Sequence, residues 1–360
     1  MAISELQLAL IGVGATAVAG VWAYNKWQER KHRQLAERIL RGGEQTDVLL
    51  DATDAPAGGD AASEPMQRVE PVFPSATEVE PLAAGAPDSP WADPVADGIG
   101  RMEFVEAVAA PALWAAQAEW AGHLAKPLYW VAQVDGEWRQ LTAHDAGRYS
   151  VFLAAQQLAD RRGAVSETEL TVFAEGVRHL AAQLGGVATV PEVGTMLEQA
   201  RALDEFCAGV DVQLSINIAD PGGTAFAGTK LRGLAEAAGM QLEDDGRYHA
   251  CDEQGETLYT LANLGVELFE AESLGSLATH GITLTLDVPN VGEGARVFDR
   301  MVATARQFAQ GLGGVLVDAQ RAPLTDAMIA GIRAKIEELQ ARMAARQIVA
   351  GSARARRLFS

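Results

Sequence analysis

Cysteine is nearly missing from this chain of 360 residues: Cys207 and Cys251 stand alone. Two isolated thiols build neither a disulfide framework nor a zinc knuckle within one chain, and they read as ordinary buried residues of a reducing compartment. Positive charge is scarce too, with 29 Lys and Arg against 48 Asp and Glu and a net charge of -19. That balance excludes nucleic acid as the main partner, because phosphate binding needs a concentrated cationic face. Catalytic signatures are absent as well. His32, His123, His144, His179, His249 and His280 show no metal-ligand spacing, and neither a G-x-S-x-G elbow nor a phosphate loop occurs. The expectation is no enzyme, no catalytic residue, no cofactor and no metal site.

What is present starts at the N-terminus. Leu6 to Ala23 read LQLALIGVGATAVAGVWA, without a charge. As a helix this run reaches roughly 27 Å, close to the hydrocarbon thickness of a bilayer. Gly12-x-Gly14 is no dinucleotide turn, because no strand precedes it and Trp22, Tyr24 and Trp27 follow, aromatics suited to a membrane interface. The opening MAISE has no Lys or Arg, whereas Lys26, Arg30, Lys31, Arg33, Arg38 and Arg41 come after the span. A cleaved signal has the reverse order, so residues 1–24 read as an uncleaved anchor with its N-terminus outside and the rest of the chain in the cytoplasm. Gly12, Thr16 and Gly20 share one helical face. They either let two anchors pack as a homodimer or simply fill the span.

Residues 25–41 suit a basic helix beside an anionic leaflet, ended by Gly42-Gly43. Residues 42–100 then hold eight of the 14 prolines and twelve acidic residues against the single base Arg68. Such a composition cannot pack a core, so this stretch reads as a disordered acidic tether with an end-to-end distance of roughly 40 Å.

Beyond it one pattern occurs twice. VRHLAAQLGGV (177–187) and ARQFAQGLGGV (305–315) share Leu-Gly-Gly-Val, and Leu170, Phe173, Val177, Leu180 and Leu184 recur as Phe298, Met301, Ala305, Phe308 and Leu312 at one helical spacing. Ser166 and Glu169 form a capping box, and Asp135-Gly136 is a hairpin turn. Each copy reads strand, helix, strand pair, strand, helix, strand, helix. The fold class is therefore α+β: two split β-α-β domains, 101–208 and 209–343, with antiparallel sheets and helices on one face of each. The basic tail 344–360, with Arg346, Arg354, Arg356 and Arg357, is either a solvated end or a contact for acidic partners or lipid headgroups.

An N-out anchor, an acidic Pro-rich tether and the segments GMQLEDDGRYH, LYTLANL, GITLTLDVP and ARQFAQGLGGVLVDAQRAPLT together resemble the bacterial cell division protein ZipA family. The likeness covers about 130 residues of the second copy; the first copy lies outside the family's plan. It implies an adaptor that binds the C-terminal tail of FtsZ on an open sheet face and tethers FtsZ filaments to the inner membrane, with the domains in the cytoplasm at the septum. The implied groove positions are Gln213, Ser215, Asn217, Asp245, Arg247, Ala262, Leu264, Thr283 and Thr285. That set is mostly polar and offers little to an apolar peptide anchor, which gains about 1.5–3 kcal/mol per large side chain buried. Either FtsZ binds elsewhere, or the partner has changed, or the first copy binds it through Tyr129, Trp130 and Val131. The alternative functions are a membrane-tethered ligand sensor, with the ligand at the junction of the two domains, and an adaptor for a different envelope partner.

Overall fold

The computed structural model describes residues 91–360. The anchor, the basic helix, the tether up to residue 90, and with them Trp22, Tyr24 and Trp27, lie outside the described residues, whereas residues 91–100, expected to belong to the disordered tether, are folded: Ala92 and Ala96 are buried and the first strand starts at Asp97. Among the described residues no helix is long and apolar enough to cross a membrane.

The N-terminal half runs β1 (Asp97–Ala109), α1 (Ala110–Gln117), β2 (Leu128–Val134), β3 (Glu137–Gln140), β4 (Arg148–Gln157), α2 (Glu167–Gln183), β5 (Gly186–Thr189) and α3 (Val193–Ala208). The C-terminal half runs β6 (Gln213–Ala219), α4 (Gly228–Ala237), β7 (Gln241–Leu242), β8 (Tyr248–Cys251), β9 (Thr257–Asn263), β10 (Gly281–Asp287), α5 (Gly294–Leu312), β11 (Val315–Val317), α6 (Asp326–Ala345) and α7 (Ala353–Leu358). The N-terminal sheet has the order β3-β2-β4-β1-β5 and the C-terminal sheet β7-β8-β9-β10-β6-β11, with every pairing antiparallel.

The two halves share their element order and differ in how the hairpin joins the sheet. In the first, β2 leaves α1 and pairs directly with β4, so one strand separates β1 from β2. In the second, α4 delivers the chain to the far edge, and β8, β9 and β10 return as a meander. The first helix of the N-terminal half is also shorter than the apolar run 112–125 suggests. It stops at Gln117, and the chain turns so that Trp120 packs over Gly176, where a side chain would overlap its ring. Trp120 there stands edge-on to Trp130, ring centroids 6.4 Å apart.

Local sequence chemistry sets the other boundaries. Ser166 Oγ accepts the Glu169 N–H while the Glu169 carboxylate takes the Ser166 N–H, the reciprocal cap of α2. Asp135 and Gly136 have φ of 51° and 88°, the twist that a two-residue hairpin between β2 and β3 needs. Each Leu-Gly-Gly-Val does the same two jobs. Gly185 and Gly313 both end their helix at φ 78°, a left-handed backbone that glycine adopts without strain. Gly186 and Gly314 then press against Phe104 and Phe226, where a side chain would collide.

One continuous core runs through both halves. Trp130, Phe152 and Phe173 lie beneath the N-terminal sheet and Phe298, Met301 and Phe308 beneath the C-terminal one, all fully buried. Close helix approach depends on Gly98 of β1, where an added Cβ would stand 2.8 Å from Met196 Sδ. The junction of the halves is itself packed. Arg161, in the turn after β4, reaches Asp211 at 2.8 Å and Asp287 at 2.7 Å, and Arg346 of the C-terminal half lies 5.4 Å over the Phe206 ring of α3.

Residues 344–360 correct the expectation of a solvated basic tail. After α6 the chain turns back and α7 docks at the junction of the halves, against Val288–Asn290 and Ala159–Asp160, with Asn290 Nδ2 donating to the Phe359 carbonyl and Gln157 Nε2 to that of Arg357. Arg357 pairs with Asp97 and stands 4.6 Å over the Tyr129 ring, Arg354 pairs with Asp93, and Leu358 and Phe359 are buried. Apolar Leu-Phe after an Arg-rich run, with acidic residues waiting on another element, turns a charged segment into an interior one.

Candidate functional site

The outward face of the C-terminal sheet is built from register. On β6 and β10, Ile216, Ile218, Ile282, Leu284 and Leu286 point into the core, and the residues between them point out. The outward residues align into rows across the strands. Gln213 stands opposite Asp287, and Ser215 opposite Thr285 with hydroxyls 3.1 Å apart. Thr260 of β9 and His249 of β8 continue that second row. Val317, Asn217, Thr283 and Ala262 form the third. The fourth, at the end where β6 stops and β10 starts, is Val315, Ala219, Gly281 and Leu264.

Seven of the nine expected positions therefore share this face: Gln213, Ser215, Asn217, Ala262, Leu264, Thr283 and Thr285. Asp245 and Arg247 sit in the turn before β8, at the edge rather than within the rows. Asp245 faces His249, whose Nε2 lies 3.1 Å from its carboxylate, while His249 Nδ1 meets Thr257 Oγ1 at 2.9 Å. Both ring nitrogens are thus engaged in holding the edge.

The face is not uniformly polar. Its fourth row is apolar throughout: Gly281 and Ala219 form a low floor, Leu264 leans over Gly281, and Leu264 and Val315 are 36% and 38% exposed. The loop after β9 adds Val266 at 98% and Leu268 at 59%, with Leu268 against Gly246 at the same end of the sheet. Four of the seven exposed large hydrophobic residues among the described residues thus gather at one end of one sheet. Phe269 and Leu274 are buried and pin the loop, so its exposed residues are presented from a fixed base. Val315, Ala219 and Gly281 are absent from the expected groove because their place depends on which residue stands opposite which. The one sequence signal for them is Leu-Gly-Gly-Val, which makes Val315 the first strand residue after α5.

The N-terminal sheet is different. Trp130 faces the helices, buried against Trp120, with its indole N–H donated to Gln117. It cannot serve with Tyr129 and Val131 as one surface, because successive strand residues point to opposite sides. Tyr129 and Val131 do face outward, beside Ile99, Leu153, Ala155 and Trp138, yet Val131, Leu153 and Ala155 are buried there under Trp91 and Ala92.

Two further places bear on chemistry. A cavity of about 400 Å³ opens between α1 and the start of β2, lined by Trp114, Leu124, Lys126, Leu128 and Arg162 among others. All of its lining residues belong to the N-terminal half. Below it Asp160, almost wholly buried, is held between Lys126 and Arg162 at 2.7 Å from each. Burial works against its charge, but the bonds from Arg162 and Lys126 prevail and its carboxyl sits below the usual aspartate value. Cys207 is buried on α3, and that burial pushes its thiol up to about 12, an unreactive state; Cys251 on β8 is only half-buried.

Comparison with known proteins bears on the C-terminal half. Residues 213–335 match the family described as ZipA, C-terminal FtsZ-binding domain. The chain is similar to the cell division protein ZipA of Marinobacter nauticus, 31% identical over 132 residues, covering 35% of this chain and 39% of that protein. Its likeness to ZipA of Ectopseudomonas mendocina is 28% over 149 residues, 40% of this chain and 55% of the relative. For ZipA of Pseudomonas aeruginosa it is 30% over 133 residues, 36% and 46%. The matched span thus covers about half the length of these relatives or less. The family match begins at Gln213, the first residue of β6, and the N-terminal sheet lies outside it.

Proposed function

We propose that this chain is a membrane-anchored, non-enzymatic adaptor that tethers FtsZ filaments to the cytoplasmic membrane during bacterial cell division. Residues 1–24 anchor it with the N-terminus outside, Trp22, Tyr24 and Trp27 sit at the interface, and residues 25–41 follow the anionic leaflet. The acidic stretch from residue 42 gives the folded part its reach. Two units, 101–208 and 209–343, follow in the cytoplasm, and the anchors of two copies pack through Gly12, Thr16 and Gly20.

The C-terminal tail of FtsZ docks on the outward face of the C-terminal sheet. The observation that carries this reading is the apolar row in which exposed Leu264 and Val315 flank the buried floor of Gly281 and Ala219, on a sheet whose sequence is similar to a domain named for binding FtsZ. Each large apolar side chain seated there gains about 1.5–3 kcal/mol, so several such anchors are needed to offset the cost of association and reach micromolar affinity. The neighbouring Thr283 offers its hydroxyl to an extended backbone, whereas the Ser215 and Thr285 hydroxyls are engaged with each other and Asn217 donates to the Asp318 carbonyl. The test is co-sedimentation of the full chain, in nanodiscs, with assembled FtsZ. Binding is expected at micromolar concentrations, and no association there would end the proposal.

A further inference from the structure

Leu264, Val266, Leu268 and Val315, exposed at one end of the C-terminal sheet, lie beside charge of one sign. Two loops frame that end, residues 243–247 before β8 and 264–272 after β9. They are held together: the Phe269 N–H donates to the Gly246 carbonyl at 3.0 Å, the Leu268 side chain lies against Gly246, and the buried Phe269 ring stands 5.8 Å from that of Tyr248. Asn263 Nδ2 fixes the second loop, donating to the Glu267 carbonyl at 3.1 Å. The loops carry six exposed acidic residues, Glu243, Asp244, Asp245, Glu267, Glu270 and Glu272, against the single base Arg247. Arg247 and His249 both turn to Asp245, and the neighbouring Arg232 is bonded to the Ala271 carbonyl. The other five carboxylates have no cationic partner among the described residues. On α5 and α6, by contrast, every carboxylate is matched: Asp299 and Glu337 share Arg333, Glu338 holds Lys335 and Asp326 holds Arg306. Unmatched like charges on neighbouring loops repel one another, and a docked cation relieves that repulsion.

We propose that these two loops select the charge of the segment docked on the apolar row: its occupant is an extended peptide with large apolar side chains at alternate positions and Lys or Arg beyond one end. The inference rests on the row being the docking face and adds what the partner's sequence has to contain. Three strand spacings of about 4.8 Å put Val315 roughly 14 Å from Leu264, the length of about four residues of extended chain. Apolar side chains at the first, third and fifth positions of a segment thus span the row, and the residues beyond pass Leu264 toward Val266, Leu268 and the carboxylates. Apolar contact holds the segment and charge chooses it. Charges at the rim of an interface act chiefly on the rate of association and its salt dependence, and they repel wrong partners. The same field repels the chain's own stretch 42–90, which holds ten acidic residues against Arg68 and, being part of the same chain, would otherwise compete at high effective concentration.

The probe is the fluorescein-labelled C-terminal tail peptide of FtsZ, mixed in stopped flow with the full chain in phosphatidylcholine nanodiscs and followed by anisotropy from low to high salt. Glu267→Lys with Glu270→Lys is expected to slow association about tenfold at low salt and to leave dissociation within about twofold, whereas Leu264→Asp speeds dissociation. Added salt is expected to slow association with the wild-type chain and to change it little for the charge-reversed one. If the tail binds and the charge-reversed chain associates as fast as wild type, FtsZ docking stands and charge selection is overturned. If the tail does not bind the wild-type chain, FtsZ docking fails, and a phage-displayed library of random dodecapeptides panned on the same nanodiscs, counter-selected on Leu264→Asp, decides the inference. Enriched sequences that join apolar residues to Lys or Arg uphold it; neutral or acidic sequences, or no enrichment, overturn it. Should the lysine variant lose its near-ultraviolet circular dichroism, Glu267→Gln with Glu270→Gln is expected to slow association about threefold, and no change there overturns the proposal.

Discussion

Arg357 closes on Asp97 across 260 residues of chain, its Nη1 3.1 Å from Oδ2, on the outward side of the N-terminal sheet. Burial pushes the Asp97 carboxyl up and the Arg357 pairing opposes it; burial likewise works against the Arg357 charge, and the bond to Asp97 outweighs it. Removing one member of such a pair leaves the other charge buried and uncompensated, at a cost of about 3–5 kcal/mol. Arg357→Met is therefore expected to destabilise the chain by that order, as is Asp97→Asn, and the two together by clearly less than their sum. Urea unfolding of the four chains of the cycle measures the coupling, and strictly additive losses would show that the pair does not act as one.

Acid is expected to weaken the fold through Asp160. Its folded value lies below the ordinary one, as does that of Glu169, which burial raises but the Ala125, Lys126 and Ser166 bonds pull down. A lowered carboxylate contributes stability above its unfolded pKa and loses it as pH falls through the folded value, so unfolding free energy should drop from about pH 4 downward. Asp160→Asn should cost stability at pH 7 and flatten that acid slope. Equal acid slopes for variant and wild type would assign the acid sensitivity to other groups.

Docking of FtsZ is expected to follow the apolar row and not the polar ones. Leu264→Asp or Val315→Asp should weaken co-sedimentation by about 10- to 150-fold, the equivalent of one lost anchor of about 1.5–3 kcal/mol. Ser215→Ala and Thr285→Ala, whose hydroxyls already satisfy each other, should change it little. The opposite ranking would move the docking site to the middle of the sheet.

The paired glycines should separate two kinds of cost. Gly185→Ala and Gly313→Ala each force a side chain into left-handed backbone, about 1–2 kcal/mol. Gly186→Ala adds a collision with Phe104 and should lower the melting temperature further. Thermal melts of the three variants test that order.

Local rules were legible in the sequence. The Ser166–Glu169 cap, the Asp135-Gly136 turn, the helical stripes of α2 and α5 and the inward and outward alternation of β6 and β10 each depend on residues a few positions apart. The apolar row was not legible, because Gly281 and Ala219 look unremarkable until register sets them between Leu264 and Val315. Nor was the pairing of Arg354 and Arg357 with Asp93 and Asp97, since a basic run carries no mark of the distant carboxylates that bury it. Trp130 misled for a simpler reason. An aromatic on a strand apolar on both sides gives no hint of which side meets the helices.

The Arg357–Asp97 pair also sets a clock. A ribosome adding roughly 5–20 residues per second needs about 13–50 s to make the chain between those two residues. Throughout that interval β1 has been synthesised while the helix that carries its buried ion-pair partner does not yet exist. Trp91 and Ala92, which precede β1 and are made first, are already there to shield the floor of Val131, Leu153 and Ala155 while the rest of the protein is still being written.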